Sequence, residues 1–228
     1  MQRKETINWW KTILVIALPF IELWIGSYFN LIHSQNMRVV AAVVLGLAVM
    51  IVAISMYKDV LIDNWQVWKH HWLRNLLLAF VSVIGIYVLL AATRALLKTV
   101  GLSASGQHGG DMLATGAGIM VIGSLTSLFA PFTEEIVYRH VMFYQFKNSR
   151  LGFWLMFFVQ SIAFGLIHWN NFHGVVVQMI PYMVIGAFFG LIYYWSKNIW
   201  QSIVTHFIFD FTSFAGAVFV FAMQFFTK

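Results

Sequence analysis

The sequence predicts an all-α fold, a polytopic bundle of about seven transmembrane helices, and three observations carry that prediction. Hydrophobic residues make up 61% of the 228 and charged residues 10%, with 22 Phe and 10 Trp, a balance outside that of soluble globular domains. Several apolar runs reach the ~20 residues that a helix needs to cross a ~30 Å hydrocarbon layer. The alternating pattern of short strands that marks an outer-membrane barrel is absent.

The first run, Ile13 to Ile32, follows Arg3, Lys4 and Lys11. It is longer than a signal-peptide core and has no small-residue cleavage site, so it reads as a retained span. Pro19 and Glu22 lie inside it, and Glu22 reads as a carboxylate satisfied by a neighbouring helix. A second span covers Val39 to Tyr57. Behind it Leu61, Trp65, Trp68 and Trp72 recur at three- and four-residue steps opposite Asp59, Asp63, Gln66 and Lys69. That is the pattern of an interfacial amphipathic helix with its tryptophans at headgroup level. His70 and His71 follow it, and adjacent helical residues point about 100° apart, which makes them a poor metal pair.

The third span is Asn75 to Leu97. Residues 98–115 are rich in Gly and Ser and read as a mobile loop able to gate a site, with His108 and Asp111 in a solvated turn. Four more apolar segments follow: Gly116 to Phe146 through Pro131, Gly152 to His168, Gly174 to Trp195, and Ile199 to Phe226. The third of these carries Gly186 and Gly190 in a small-xxx-small spacing that packs helices closely. The sum is seven spans, or eight if the last segment breaks near Gly216. Without internal repeats, residues 1–228 read as a single membrane domain.

The net charge of +6 comes from basic residues in short loops, where they set orientation and meet lipid headgroups, so nucleic acid is not an expected partner. An amino terminus on the inner side places Arg3, Lys4, Lys11, Lys58, Lys69, Arg74, Lys147, Arg150 and Lys197 inside. Only Arg38, Lys98 and Lys228 are then left outside. The positive-inside rule favours that topology. With no cysteine, thiol nucleophiles, thiolate metal ligands and disulfides are excluded.

Against this apolar background Thr133-Glu134-Glu135-Ile136-Val137-Tyr138-Arg139 is costly, because each ionised group in a span costs roughly 2.5–3.5 kcal/mol on insertion scales. Pro131 should break the preceding helix, and Thr133 can cap a new one that begins with the two glutamates. On that helix Glu135 and Arg139 share a face and can pair, while Glu134 points about 100° away and is the carboxylate available to take a proton from water. The same three residues also read as a buried salt-bridge network that holds helices together. Two further polar insertions bear on the choice. Phe164 and His168 lie four apart in one span, and His206 and Asp210 lie four apart in the last. Three spans that each carry proton-moving or metal-binding groups are hard to explain as packing alone.

The order and spacing of these motifs resemble those of the CPBP intramembrane proteases, the family that includes CAAX prenyl endopeptidases and bacteriocin-processing or immunity proteins. Glu134-Glu135-x-x-x-Arg139, Phe164-x-x-x-His168 and His206-x-x-x-Asp210 match its three signatures, over roughly Gly116 to Phe214. The resemblance implies a catalytic core at 116–214 and a glutamate-dependent endopeptidase. In it Glu134, helped by His168, activates water, and His206 with Asp210 stabilises the oxyanion or positions substrate, supported by Glu135, Arg139 and Phe164. Asp210 departs from the family variant with Asn there: an ionised Asp repels an oxyanion, so it must be protonated, orient His206 or help bind a cation.

No cofactor is favoured. Zinc on Glu134, His168 and His206 is the alternative, although no His-Glu-x-x-His helix is present. His140 and His173 read as interfacial or structural, and Asn170 and Asn171 as a turn. The implied partner is a peptide or protein substrate at the membrane: membrane-associated, prenylated or of bacteriocin type. A non-catalytic bacteriocin-immunity or membrane interaction protein is the competing reading, and a proton-coupled transporter is disfavoured because no paired halves are visible. The expected location is a cell membrane, in particular a bacterial cytoplasmic membrane. One tension is geometrical. Counted from the inner loops, His206 lies ~12 Å deep and His168 ~27 Å, so straight upright helices would not bring them together.

Overall fold

The computed structural model describes residues 7–104 and 116–226. The expected gating loop from Ser105 onward, His108 and Asp111 within it, and the termini with Arg3, Lys4 and Lys228 lie outside the described residues. Within them the chain is helical, with no strand.

Several helix starts fall where the sequence supplies side-chain acceptors for unpaired backbone N–H groups. Helix α1, Trp9–Ser27, is capped by Asn8, whose side chain accepts from the Lys11 N–H. A short 3₁₀ turn, Tyr28–Leu31, leads to α2, Gln35–Lys69, where Ser34 accepts from the Met37 N–H. Helix α3 is Trp72–Thr99, and after the undescribed segment come α4, Ala117–Ser124, and α5, Thr126–Glu134. A π-helical segment, Glu135–Phe143, and a 3₁₀ turn, Tyr144–Phe146, complete that crossing. Helix α6, Arg150–Leu166, is capped by Ser149, which accepts from the Gly152 N–H. Helices α7, Val176–Ser196, and α8, Ile199–Phe226, finish the bundle.

Among the described residues six helices are long and apolar enough to cross a membrane, and α6 is a seventh, shorter apolar helix. The protein is a multi-pass membrane protein. Helix α8 continues unbroken through Gly216, so the eight-span count is not supported. The broad exposure of Leu, Ile, Val and Phe on α1 to α3 and α6 is what lipid-facing surfaces require, since the bilayer is as apolar as the side chains themselves.

Two expectations are corrected. The amphipathic stretch behind the second span is not a separate surface helix but the continuation of α2, which bends at Tyr57 (φ −117°, ψ 21°). At 35 residues this helix is roughly 52 Å long, well beyond the hydrocarbon thickness. Its last turns fold over the start of α8. Leu61 and Trp68 are buried, the Trp68 indole donates to Gln201 Oε1 at 3.1 Å, and the Trp200 indole donates to the Leu61 carbonyl at 2.7 Å. The indoles of Trp68 and Trp200 are thus spent on interhelical hydrogen bonds rather than on headgroups.

The second correction concerns the polar helix. Pro131 lies inside α5, Thr133 is buried in its last turn, and no new helix starts at Glu134. Instead the backbone widens into the π segment, where the Tyr144 N–H reaches the Arg139 carbonyl five residues back. The break in this crossing comes earlier, between α4 and α5 at Leu125.

The tightest packing joins α6 to α7. A Cβ added at Gly186 would stand 3.0 Å from the Phe164 ring and 3.1 Å from the Ser161 carbonyl oxygen, and one at Gly190 would stand 2.9 Å from Gln160 Nε2. Gly165 on α6 faces Met183 and the Met179 carbonyl in the same way. The small-residue spacing therefore does what was expected of it and sets the position of Phe164.

Candidate active site

Glu135 and Arg139 are both fully buried in the π segment, with Arg139 Nε 3.4 Å from Glu135 Oε1. The same carboxylate oxygen accepts a 2.8 Å hydrogen bond from Nδ1 of His206 on α8. One carboxylate therefore tethers a cation on its own helix and an imidazole on another. The guanidinium carbon of Arg139 sits 3.9 Å from the centroid of Phe164 and 5.1 Å from that of Phe189. In a dry interior this ring face supplies attraction that the lone carboxylate contact does not. Phe164 and Phe189 also wall His206, with ring centroids at 5.7 Å and 4.4 Å. The aromatic residue of the Phe164-x-x-x-His168 motif thus packs a charged group and both site histidines, since its ring also lies 5.5 Å from His168.

Glu134 behaves differently from its neighbour. Its side chain is 19% exposed, against none for Glu135, and it lines a cavity of about 350 Å³ together with His168, His206 and Asp210. Every residue expected to be catalytic faces this one space. His206 Nε2 lies 3.8 Å from Glu134 Oε2 and 3.5 Å from Asp210 Oδ2, too far for strong hydrogen bonds, so both carboxylates stand beside the ring. A carboxylate oxygen only accepts, so Nδ1 of His206 carries its proton toward Glu135 and Nε2 is the nitrogen presented to the cavity. His168 is held likewise: Nδ1 donates to the Phe164 carbonyl at 3.0 Å, which makes Nε2 the basic nitrogen of the neutral ring.

The depth conflict resolves through helix offsets. His168 stands two residues past the end of α6, in a turn that reverses the chain into α7. Helix α8 does not start at a membrane surface. Ile199 is fully buried, its N–H donates to Asn64 Oδ1 at 3.2 Å, and Asn198 Nδ2 donates to the Asn64 carbonyl at 2.8 Å. With the α8 start sunk under the extension of α2, His206 reaches the cavity that His168 enters from its own helix end.

Four contributors were not assigned to the site in sequence. Phe189 is one of many Phe in apolar runs, and no local signal distinguishes it. Tyr182 packs on His168 with ring centroids 4.6 Å apart and lines the cavity. Asn171, in the short 3₁₀ turn Asn170–Phe172, stands at the cavity edge. Glu22 of α1 lines it too, where a carboxylate buried against a neighbouring helix was expected; its presence in a span was the signal. Neither His140 nor His173 lines the cavity. His140 Nδ1 is hydrogen-bonded to the Tyr193 hydroxyl at 2.8 Å in the buried core, and His173 adopts a left-handed turn conformation (φ 50°). His70 and His71 form the exposed junction of α2 and α3.

Zinc is tested by the donor set. Among the described residues no group of three or more His, Asp or Glu side chains is arranged to hold a metal ion. The trio Glu134, His168 and His206 lines the cavity without forming such a group. The arrangement does not fit a zinc site, and no step is routed through one.

A multi-pass helical membrane protein with buried carboxylates and histidines gathered around one internal cavity is the class that the fold and site define. Residues 116–212 match the family model described as type II CAAX prenyl endopeptidase Rce1-like, so the resemblance carried by the three motifs holds across the segment that builds the cavity, apart from Pro19, Glu22 and Gly46 of α1 and α2. By its description that family is one of endopeptidases. The chain is also 36% identical over 74 residues to an uncharacterised protein of Mycoplasma capricolum subsp. capricolum, a stretch that is 32% of this chain and 20% of that protein. No solved structure matches.

Proposed function

We propose that the protein is an intramembrane endopeptidase in which Glu134 is the general base. The carrying observation is that Glu134, His168, His206 and Asp210, drawn from three separate crossings, line one cavity, while Glu135 and Arg139 are withdrawn from it as a buried tether. A peptide bond in that cavity would be attacked by water whose proton passes to Glu134, with His168 Nε2 sharing the proton load. The hydroxide adds to the carbonyl carbon and the π electrons move to oxygen. With His206 as the imidazolium, protonated on Nδ1 toward Glu135 and on Nε2 toward the cavity, its Nε2–H donates to the resulting oxyanion, the role that preorganised donors play in acyl transfer. Collapse expels the amine, which takes its proton from Glu134 and restores the carboxylate.

Asp210 Oδ2 lies 3.5 Å from His206 Nε2, the ring nitrogen that is not bonded to Glu135, which supports a role in orienting the imidazole and its Nε2 proton. The catalytic core on this reading is residues 116–214 of a single membrane domain. The amino terminus is placed inside a bacterial cytoplasmic membrane, on the distribution of basic residues. The substrate is a peptide at the membrane.

Reconstitution of the wild type and of Glu134→Gln in proteoliposomes, with peptide products read by mass spectrometry, tests the proposal. Gln keeps size and hydrogen bonding but cannot accept the proton, so turnover should fall by about 10²–10⁴-fold, the worth of a positioned base. Undiminished cleavage by the variant would overturn the mechanism. Protection against a bacteriocin peptide that survives Glu134→Gln would favour the non-catalytic immunity reading.

A further inference from the structure

Glu22 lies on α1, outside the three motifs, and faces the cavity across from Glu134 and Asp210. Among the described residues it makes no hydrogen bond and no ion pair. The space its carboxylate occupies is made by Gly46 of α2, where an added Cβ would stand 3.7 Å from Glu22 Oε1. Among the described residues no lysine or arginine lines the cavity. Of the two histidines that do, His206 is already tied to Glu135, and His168 is bonded to its own helix.

A carboxylate held in a membrane span without a partner is costly, and evolution retains such a group where something enters to compensate it. Apolar side chains of Phe129, Ile167, Ile185 and Phe209 line the cavity beside Thr126, Ser127 and Asn171, and its three carboxylates share one sign, which concentrates negative potential there. The complementary ligand carries positive charge.

Resting on the endopeptidase reading for the nature of the ligand, we propose that Glu22 is a specificity-determining residue that receives a cationic group of the bound peptide, either a lysine or arginine side chain or an amino terminus. Glu22 would contact the substrate away from the scissile bond, since its carboxylate sits on α1 while the proton-handling groups come from α5, the turn after α6, and α8. Its contribution is therefore to binding and register, and it should move KM more than kcat.

The test uses binding, so that it does not depend on cleavage. The full chain carrying Glu134→Gln is reconstituted in nanodiscs and titrated with fluorescent nine-residue apolar peptides, capped at both ends, in which one position at a time is Lys, norleucine or Glu. A second set leaves the amino terminus uncapped on the norleucine background, which separates the two sources of positive charge. Lys at one position, or the free amine, should tighten binding by about tenfold over its neutral counterpart. The preference should disappear when Glu22→Gln is added, persist with Glu22→Asp, and invert toward Glu-containing peptides with Glu22→Lys. Equal affinity for cationic and neutral peptides, a preference untouched by Glu22→Gln, or no peptide binding at all would each overturn the proposal. Wild-type turnover is measured separately. Cleavage without a Glu22-dependent preference sinks the cation site alone, whereas that preference without cleavage leaves the cation site standing and sinks the protease.

Discussion

Glu134 and Glu135 are chemically identical neighbours, and their surroundings divide them. Glu135 has given one oxygen to Arg139 and His206 in a fully buried setting, so its charge is structural. Glu134 keeps its oxygens toward a cavity and is the group that can exchange a proton. The tether makes a stability prediction: Arg139→Met strands a buried carboxylate and should cost about 3–5 kcal/mol. The double variant Glu135→Met with Arg139→Met should recover most of that loss, read by thermal unfolding in detergent. Recovery of stability without recovery of turnover is expected, because His206 loses its anchor in the double variant. Arg139→Lys should fall between, since an ammonium keeps the charge but not the planar face laid on Phe164.

Secondary elements carry the site through two devices. The π segment is a wider turn than the α-helix it follows, and such turns occur in helices at functional sites. Here it holds Glu135 and Arg139 on the face toward α8 while Glu134, at its threshold, turns to the cavity. The second device is the glycine seam between α6 and α7. Gly186→Ala places a methyl group against the Phe164 ring and the Ser161 carbonyl, and overpacking of this kind should cost about 1–3 kcal/mol. Since Phe164 touches Arg139, His168 and His206, turnover should fall as well. Gly26→Ala is the control. Nothing lies within 4 Å of the added methyl, and replacing a helical Gly should be neutral or stabilising by up to about 1 kcal/mol. A melt in which both variants respond alike would argue against the seam as the positioning element.

At the scale of the whole molecule, the site depends on helices that do not share a common level. Helix α2 overshoots the hydrocarbon layer and bends back over the start of α8, and Asn64, Asn198 and Gln201 supply the polar contacts there. Polar backbone at membrane depth is tolerated where it is buried in protein and satisfied, and this junction meets that condition. The overall orientation is open to a direct experiment because the chain contains no cysteine, so single cysteines can be introduced without a background. With the amino terminus inside, His70→Cys should react with an impermeant maleimide only from the cytoplasmic side and Thr99→Cys only from the opposite side. The reverse pattern would invert the topology while leaving the site geometry unaffected.

The seven apolar segments, the pairing of Glu135 with Arg139, the separation of Glu134 from that pair, and the approach of Phe164, His168, His206 and Asp210 to one another, now around one cavity, were legible in the sequence. Span length, charge cost in lipid and helical spacing are local properties, and local properties are written in a chain. Tertiary structure alone decided the rest. It replaced a capped helix at Glu134 with a π segment, folded the tryptophan-rich stretch onto α8, packed Phe189 against His206 and Arg139, and brought Tyr182, Asn171 and Glu22 to the cavity. Those outcomes turn on which helix lies against which, and at what depth. In a chain where most residues are apolar, any of several faces could pack inward, and only the few close approaches at glycine and the buried hydrogen bonds select one.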